Sequence, residues 1–212
     1  MSRYNYDGTY DEKTMTLTGQ GQVTAIPDIA VIRLGVETAG DNLMTIQSEN
    51  AQISQTVIDS IKSLGVSDIK TYRYSIDKRY DYVNGTQIDR GYVVQNIVEI
   101  RLTDMEQVGR VIDTAVSYGA NTVDFISFEV SDLKLYYQQA LNQAVLSAIQ
   151  KAESLAMLLG VPLDPVPLHI EENSTPPIPF SRSSFTREGA FATPIEPGNK
   201  MIEAFVTVRF SY

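Results

Sequence analysis

Alanine recurs at every fourth position along one stretch, as Ala140, Ala144, Ala148, Ala152 and Ala156, and no proline or glycine interrupts the chain from Leu133 to Leu159. Residues four apart stack on one side of an α-helix, so these methyl groups form a single narrow stripe. Such a stripe lets another element approach closely, and Leu141, Val145, Ile149, Leu155 and Leu159 flank it with bulk. Any fold for this chain must therefore lay a long helix tightly against a partner layer. Packing is the plain use of the stripe, and a cofactor groove is the lesser alternative. Ser131 or Asp132 opens the helix and Gly160 stops it.

The remaining apolar residues follow mostly strand periodicity. "MTLTGQGQVTA" from Met15 and "IAVIRLGVET" from Ile29 are separated at Ile26-Pro27-Asp28, where proline removes a ladder donor. Ala30, Ile32, Leu34 and Val36 alternate onto one face. Asp41 or Asn42 then caps a helix reaching Leu64, with Leu43, Ile46, Ile53, Val57 and Ile61 at helical spacing and Gly65 as its stop. A strand from Ile69 to Tyr82 places Tyr72, Tyr74, Ile76, Tyr80 and Tyr82 at even positions, and Asn84-Gly85 signals a hairpin. The return strand has its apolar set at Tyr92, Val94, Val98, Ile100 and Leu102. A two-residue turn pairs Val83 with Thr86 and so sets even residues opposite odd ones, which requires a bulge, best placed at Gly91, or a longer loop.

Thr103 and Glu106 form a capping-box pattern for a helix through Val108, Val111, Ile112 and Ala115, closed by Gly119. A strand over residues 123–130 precedes the alanine-rich helix, and "PVPLHIEE" reads as a short strand after it. In the last strand Ile202, Ala204, Val206, Val208, Phe210 and Tyr212 alternate with polar residues, the mark of a strand paired inside a sheet. Within this order, residues 29–130 read βαββαβ, a split-βαβ unit. The expected class is α+β: a largely antiparallel sheet with a split-βαβ core and two or three helices packed on it, including the long alanine-rich one. Residues 1–14 are expected to be a flexible arm and residues 15–212 a single domain with a long loop at 173–198.

Much chemistry is excluded by inventory. The chain has no cysteine and one histidine, His169, which lies in a strand pattern, so thiolate sites, Cys-His pairs and histidine-rich metal sites have no ligands. "GQGQVT" lacks the third glycine of a dinucleotide loop and lies within a strand, and no Walker A pattern occurs. No catalytic residue, cofactor or metal is expected. A formal charge of −9 argues against general nucleic-acid binding, and no apolar run is long enough to span a bilayer. The polar start "MSRYNYDGTYDEK" has no apolar core of a signal peptide, which points to the cytoplasm.

Four stretches resemble the SIMPL-domain family of bacterial proteins, which includes periplasmic immunogenic proteins. They are "LTGQGQVTAIPDIAVIRLGVET", "GYVVQNIVEIRLTDMEQVGRVIDTAVSYGAN", "ALNQAVLSAIQKAESLAMLLGV", and "TPIEPG" followed by the alternating last strand. Asp164 stands where relatives often have glycine. The resemblance implies an α+β fold, ring-like or channel-like homo-oligomers in some relatives, an extracytoplasmic or envelope location, and links to oxidative-stress tolerance. It implies no catalytic residue.

These readings converge on a non-enzymatic, self-associating scaffold or binding protein that forms a homo-oligomer. The alternative is a small-ligand or peptide-binding module with the 173–198 loop as its lid. The candidate interaction surface comprises Tyr72, Tyr74, Tyr80 and Tyr82 on the hairpin with Phe180, Arg182, Phe185 and Arg187 on the loop. A tyrosine row serves cross-strand packing and a protein interface equally well.

Overall fold

The alanine stripe meets two glycines. In the computed structural model, which describes residues 13–173 and 195–212, ten elements follow in chain order. They are β1 (Thr14–Ala25), β2 (Ile29–Gly40), α1 (Leu43–Ser63), β3 (Ile69–Val83), β4 (Thr86–Leu102), α2 (Gln107–Ser117), β5 (Thr122–Glu129), α3 (Leu133–Leu159), β6 (His169–Glu172) and β7 (Lys200–Ser211). All strand pairs are antiparallel, as the α+β class requires, but they form two sheets. Contacts group the elements into two compact units: β1, α3, β6 and β7 in one, and β2 through β5 with α1 and α2 in the other. No helix among the described residues is long and apolar enough to cross a membrane. The expected arm lies almost wholly outside the described residues, as does most of the long loop, including Phe180, Arg182, Phe185 and Arg187.

In the first unit the strand order is β1-β7-β6, and β1 pairs with β7 from Thr14↔Ser211 to Ala25↔Lys200. Ile202, Ala204, Val206, Val208 and Phe210 of β7 are buried, in the alternation read from sequence. Helix α3 lies on β1 and β7 and buries Ala140, Ala144, Ala148, Ala152 and Ala156. A Cβ on Gly19 would stand 1.9 Å from the carbonyl oxygen of Ala144, and one on Gly21 would stand 1.9 Å from that of Ala140. The Gly-x-Gly of β1 is thus the partner of the stripe, and the contact is backbone against backbone. Asp132 caps α3 by accepting the Leu135 N–H at 2.9 Å, and the helix ends at Gly160.

The second unit is the expected βαββαβ, with strand order β3-β4-β2-β5. Ala30, Ile32, Leu34 and Val36 of β2 meet Val98, Ile100 and Leu102 of β4 on one face, under Val57 and Ile61 of α1 and Val108, Val111 and Ala115 of α2. Buried Asn50 fastens α1 to the sheet through Nδ2, which donates to the carbonyls of Val36 (2.9 Å) and Val94 (3.1 Å). Ile195, from "TPIEPG", packs against the same core.

The hairpin at Asn84-Gly85 has both turn residues at positive φ (52° and 78°), as a two-residue primed turn demands. Its parity conflict is resolved at Gly91 (φ 77°): between the pairs Tyr80↔Asp89 and Lys78↔Tyr92, β4 carries one extra residue. A second irregularity was not expected. Between Thr71↔Val98 and Arg73↔Ile97, Tyr72 is the extra residue of β3. The capping of α2 also differs from expectation. Glu106 is the N-cap without a side-chain bond, and Asp104 orders the turn by accepting the Glu106 N–H (3.0 Å) and Gln107 Nε2 (2.8 Å). A carboxylate one residue into the turn outcompetes the Thr103 hydroxyl for these donors.

Because the stripe leaves no room at Gly19, Gly19→Ala must push α3 off β1 or distort the strand, at a cost of about 2 kcal/mol or more. Thermal unfolding should show the midpoint lowered by about 5 °C, while Gln150→Ala on the exposed side of α3 stays within about 2 °C of the parent.

Candidate functional site

Charged residues of the second unit gather on the sheet face turned away from α1 and α2. The register sets Arg33 of β2 and Lys70 of β3 on either side of Glu99 of β4, so three adjacent strands present one row of charge. Glu99 is 5 % exposed. Arg33 donates to its Oε2 through Nε (2.9 Å) and Nη2 (2.8 Å), and Lys70 Nζ reaches Oε1 at 2.9 Å. The Lys70 hydrogen bond, with help from Arg33, holds the Glu99 carboxyl below its usual range against the opposing effect of desolvation.

The Tyr72 bulge completes this row. By adding one residue to β3 it turns the Tyr72 ring onto the Arg33 guanidinium, 3.8 Å from the ring centroid, while Phe125 of β5 stands 5.1 Å away on the same cation. Nearby, Arg101 pairs with Glu129 at 2.6 Å, which raises the arginine further, and Arg73 reaches Asp124 at 3.8 Å. With both oxygens of Glu99 occupied by cations, this carboxylate stays ionised through the neutral range and has no proton to exchange. The row is a polar platform whose buried carboxylate has both oxygens engaged.

The hairpin forms a second surface. Tyr74, Ile76, Lys78, Tyr80 and Tyr82 share the face opposite Tyr72, so the structure divides the expected tyrosine row between two faces. Lys78 Nζ pairs with Asp89 at 2.9 Å and lies 5.8 Å and 5.3 Å from the rings of Tyr80 and Tyr92. The pair lifts Lys78 above its usual value, and it lowers Asp89, which also accepts the Gly91 N–H. Arg90 pairs with Asp81 at 2.7 Å. Residues 77–90 are all exposed, Tyr82 at 73 %.

Other candidates are accounted for locally. A cleft of about 310 Å³ is lined by Asp68, Arg101 and Asp104 among others, but Arg101 is taken by Glu129 and Asp104 by the turn into α2. His169 is exposed on β6 opposite Arg209. Asp28, beside Pro27, accepts both the N–H and the hydroxyl of Ser131, which holds its carboxyl below the usual range. Sequence reasoning missed the Arg33–Glu99–Lys70 row. Its signal was a glutamate between Val98 and Ile100, where a strand buried on both faces tolerates a charge only if it is paired.

Comparison with known proteins gives one family match: SIMPL, described as a protein of unknown function (DUF541), covers residues 15–210. The "26 kDa periplasmic immunogenic protein" of Brucella abortus (strain S19) is 28 % identical over 92 % of this chain and 83 % of its own length. The "Uncharacterized protein YggE" of Escherichia coli (strain K12) is 26 % identical over 74 % of this chain and 64 % of its own.

Since Glu99 is held ionised by its partners, its stabilisation is complete above the ordinary carboxylate value of 4.5 and is lost as pH falls through its depressed folded value. Glu99→Gln should therefore cost about 2 kcal/mol near neutral pH, where it strands two cations. Urea titrations repeated at about pH 3 should show most of that difference gone.

Proposed function

We propose that this chain, which belongs to the SIMPL family, is a non-enzymatic, self-associating scaffold or binding protein of the bacterial envelope. The observation that carries the reading is the hairpin beyond Tyr92. It displays Tyr80, Tyr82, Val83 and Ile88 to solvent on a ribbon braced by the Lys78–Asp89 and Arg90–Asp81 pairs. Aromatic side chains displayed on a two-stranded ribbon and ringed by charge have the makeup of a protein interface.

Two further observations support the reading. The buried carboxylate of the platform is saturated by Arg33 and Lys70, which suits recognition and not proton transfer. A relative spanning nearly the whole chain carries the name periplasmic, which favours the envelope over the cytoplasm for this chain too.

Sedimentation velocity over a wide concentration range tests the proposal. The parent chain should exceed monomer mass, and Tyr80→Ser combined with Tyr82→Ser should shift it towards the monomer, while the midpoints of the two, compared at dilutions where both are monomeric, differ by no more than about 2 °C. A parent that stays monomeric at the highest concentration defeats self-association.

A further inference from the structure

Unpaired strand edges recruit other strands unless something covers them, and the edges of this chain are treated unequally. The edge of β1 is interrupted from within its own unit: Lys151 Nζ donates to the Thr18 carbonyl (2.7 Å), and the Gln22 N–H donates to Gln143 Oε1 (3.2 Å). On the other side of that sheet β6 offers only four residues. In the second unit β5 is broken by a register shift beside Arg33. The edge strand β3 is longer, and from Arg73 to Val83 it contains no inserted residue. Val83 and Thr86 flank the two-residue turn as a hydrogen-bonded pair, so odd residues of this stretch bond to β4. Tyr74, Ile76, Lys78, Tyr80 and Tyr82 therefore turn their N–H and C=O groups to the open edge.

Charge on the same stretch is incompletely satisfied. Arg73, Lys78 and Asp81 each have an ion-pair partner within the chain. The side chains of Asp77 and Arg79 have none among the described residues.

We propose that two copies of this chain join by antiparallel pairing of β3 with β3 about Lys78, the centre of the regular stretch 73–83. The inference rests on the self-association reading above and supplies its geometry. A two-fold axis makes one residue face itself, which leaves few registers to choose from. Centred on Lys78, Asp77 of each copy faces Arg79 of the other, Tyr74 faces Tyr82, and Ile76 faces Tyr80. The two unpartnered charges satisfy each other twice, and the aromatic row becomes a cross-strand ladder. Lys78 meets its own copy, but each amine is already held by Asp89 of its chain. Centring on Asp77 sets an uncompensated carboxylate against itself and runs into the Tyr72 bulge, and centring on Arg79 sets two guanidinium groups together.

Charge reversal tests the register. At low salt, Arg79→Asp and Asp77→Arg should each weaken the dimer about tenfold or more in sedimentation equilibrium, because each places like charges opposite at both symmetric sites. The double variant Asp77→Arg/Arg79→Asp should restore association to near the parent's. At concentrations low enough for the parent to be monomeric, all three should melt like the parent, since both positions are exposed. Single variants that associate like the parent would overturn this register while leaving self-association standing, as would a double variant no stronger than the singles. A parent that is monomeric throughout would remove both.

Discussion

The approach of β1 to α3 sets the terms for everything in the first unit. Gly19 and Gly21 remove the only atoms that would hold the strand away from the helix, and the alanines opposite remove theirs. What remains is close backbone packing, which has no side-chain rotamers to lose and little tolerance for added volume. The bulky neighbours Leu141, Val145 and Ile149 are half-buried along the margins of this contact. The same closeness brings Lys151 and Gln143 within reach of the outer edge of β1, where they occupy its carbonyl and amide groups. The close packing that fixes the helix thus also interrupts an open edge at two places.

In the second unit the organising device is the bulge. One extra residue at Gly91 reconciles a tight turn with two apolar strands of the same parity. Another at Tyr72 moves a single aromatic ring to the opposite face, where it stacks on the arginine that neutralises Glu99. Between the two bulges, even residues of β3 lie opposite even residues of β4, and beyond either bulge this relation reverses. The sheet thus carries an ion-pair platform on one face and an aromatic ribbon on the other, from the same two strands.

Features set by neighbouring residues were legible in the sequence. Of the two cap candidates offered for each helix, Asn42 and Asp132 are the caps; Asn84-Gly85 makes its turn, and parity demanded either a bulge, best placed at Gly91, or a longer loop. Features set by residues distant in sequence were not. The Gly-x-Gly of β1 was recognisable as no nucleotide loop, but its helix partner lies beyond the whole second unit. The Tyr72 bulge leaves no mark in an otherwise regular alternation, because nothing local requires it. Asn121 shows the same limit: its side-chain amide pairs with both the N–H and C=O of Glu37, 2.8 Å each, standing in for a strand neighbour that only the folded sheet supplies.

The pairing of β1 with β7 has a consequence for how the chain is made. Synthesis delivers β1 first and β7 last, with all of the second unit and α3 between them. The second unit draws its strands and helices from one continuous segment and can assemble while β1 is still alone. The first unit closes only by joining strands from the two ends of the described chain, so its contact order is high, the kind of topology that pays a large loop-closure cost. Closing the first unit therefore requires a strand pairing that spans nearly the whole described chain, which no strand pair of the second unit does.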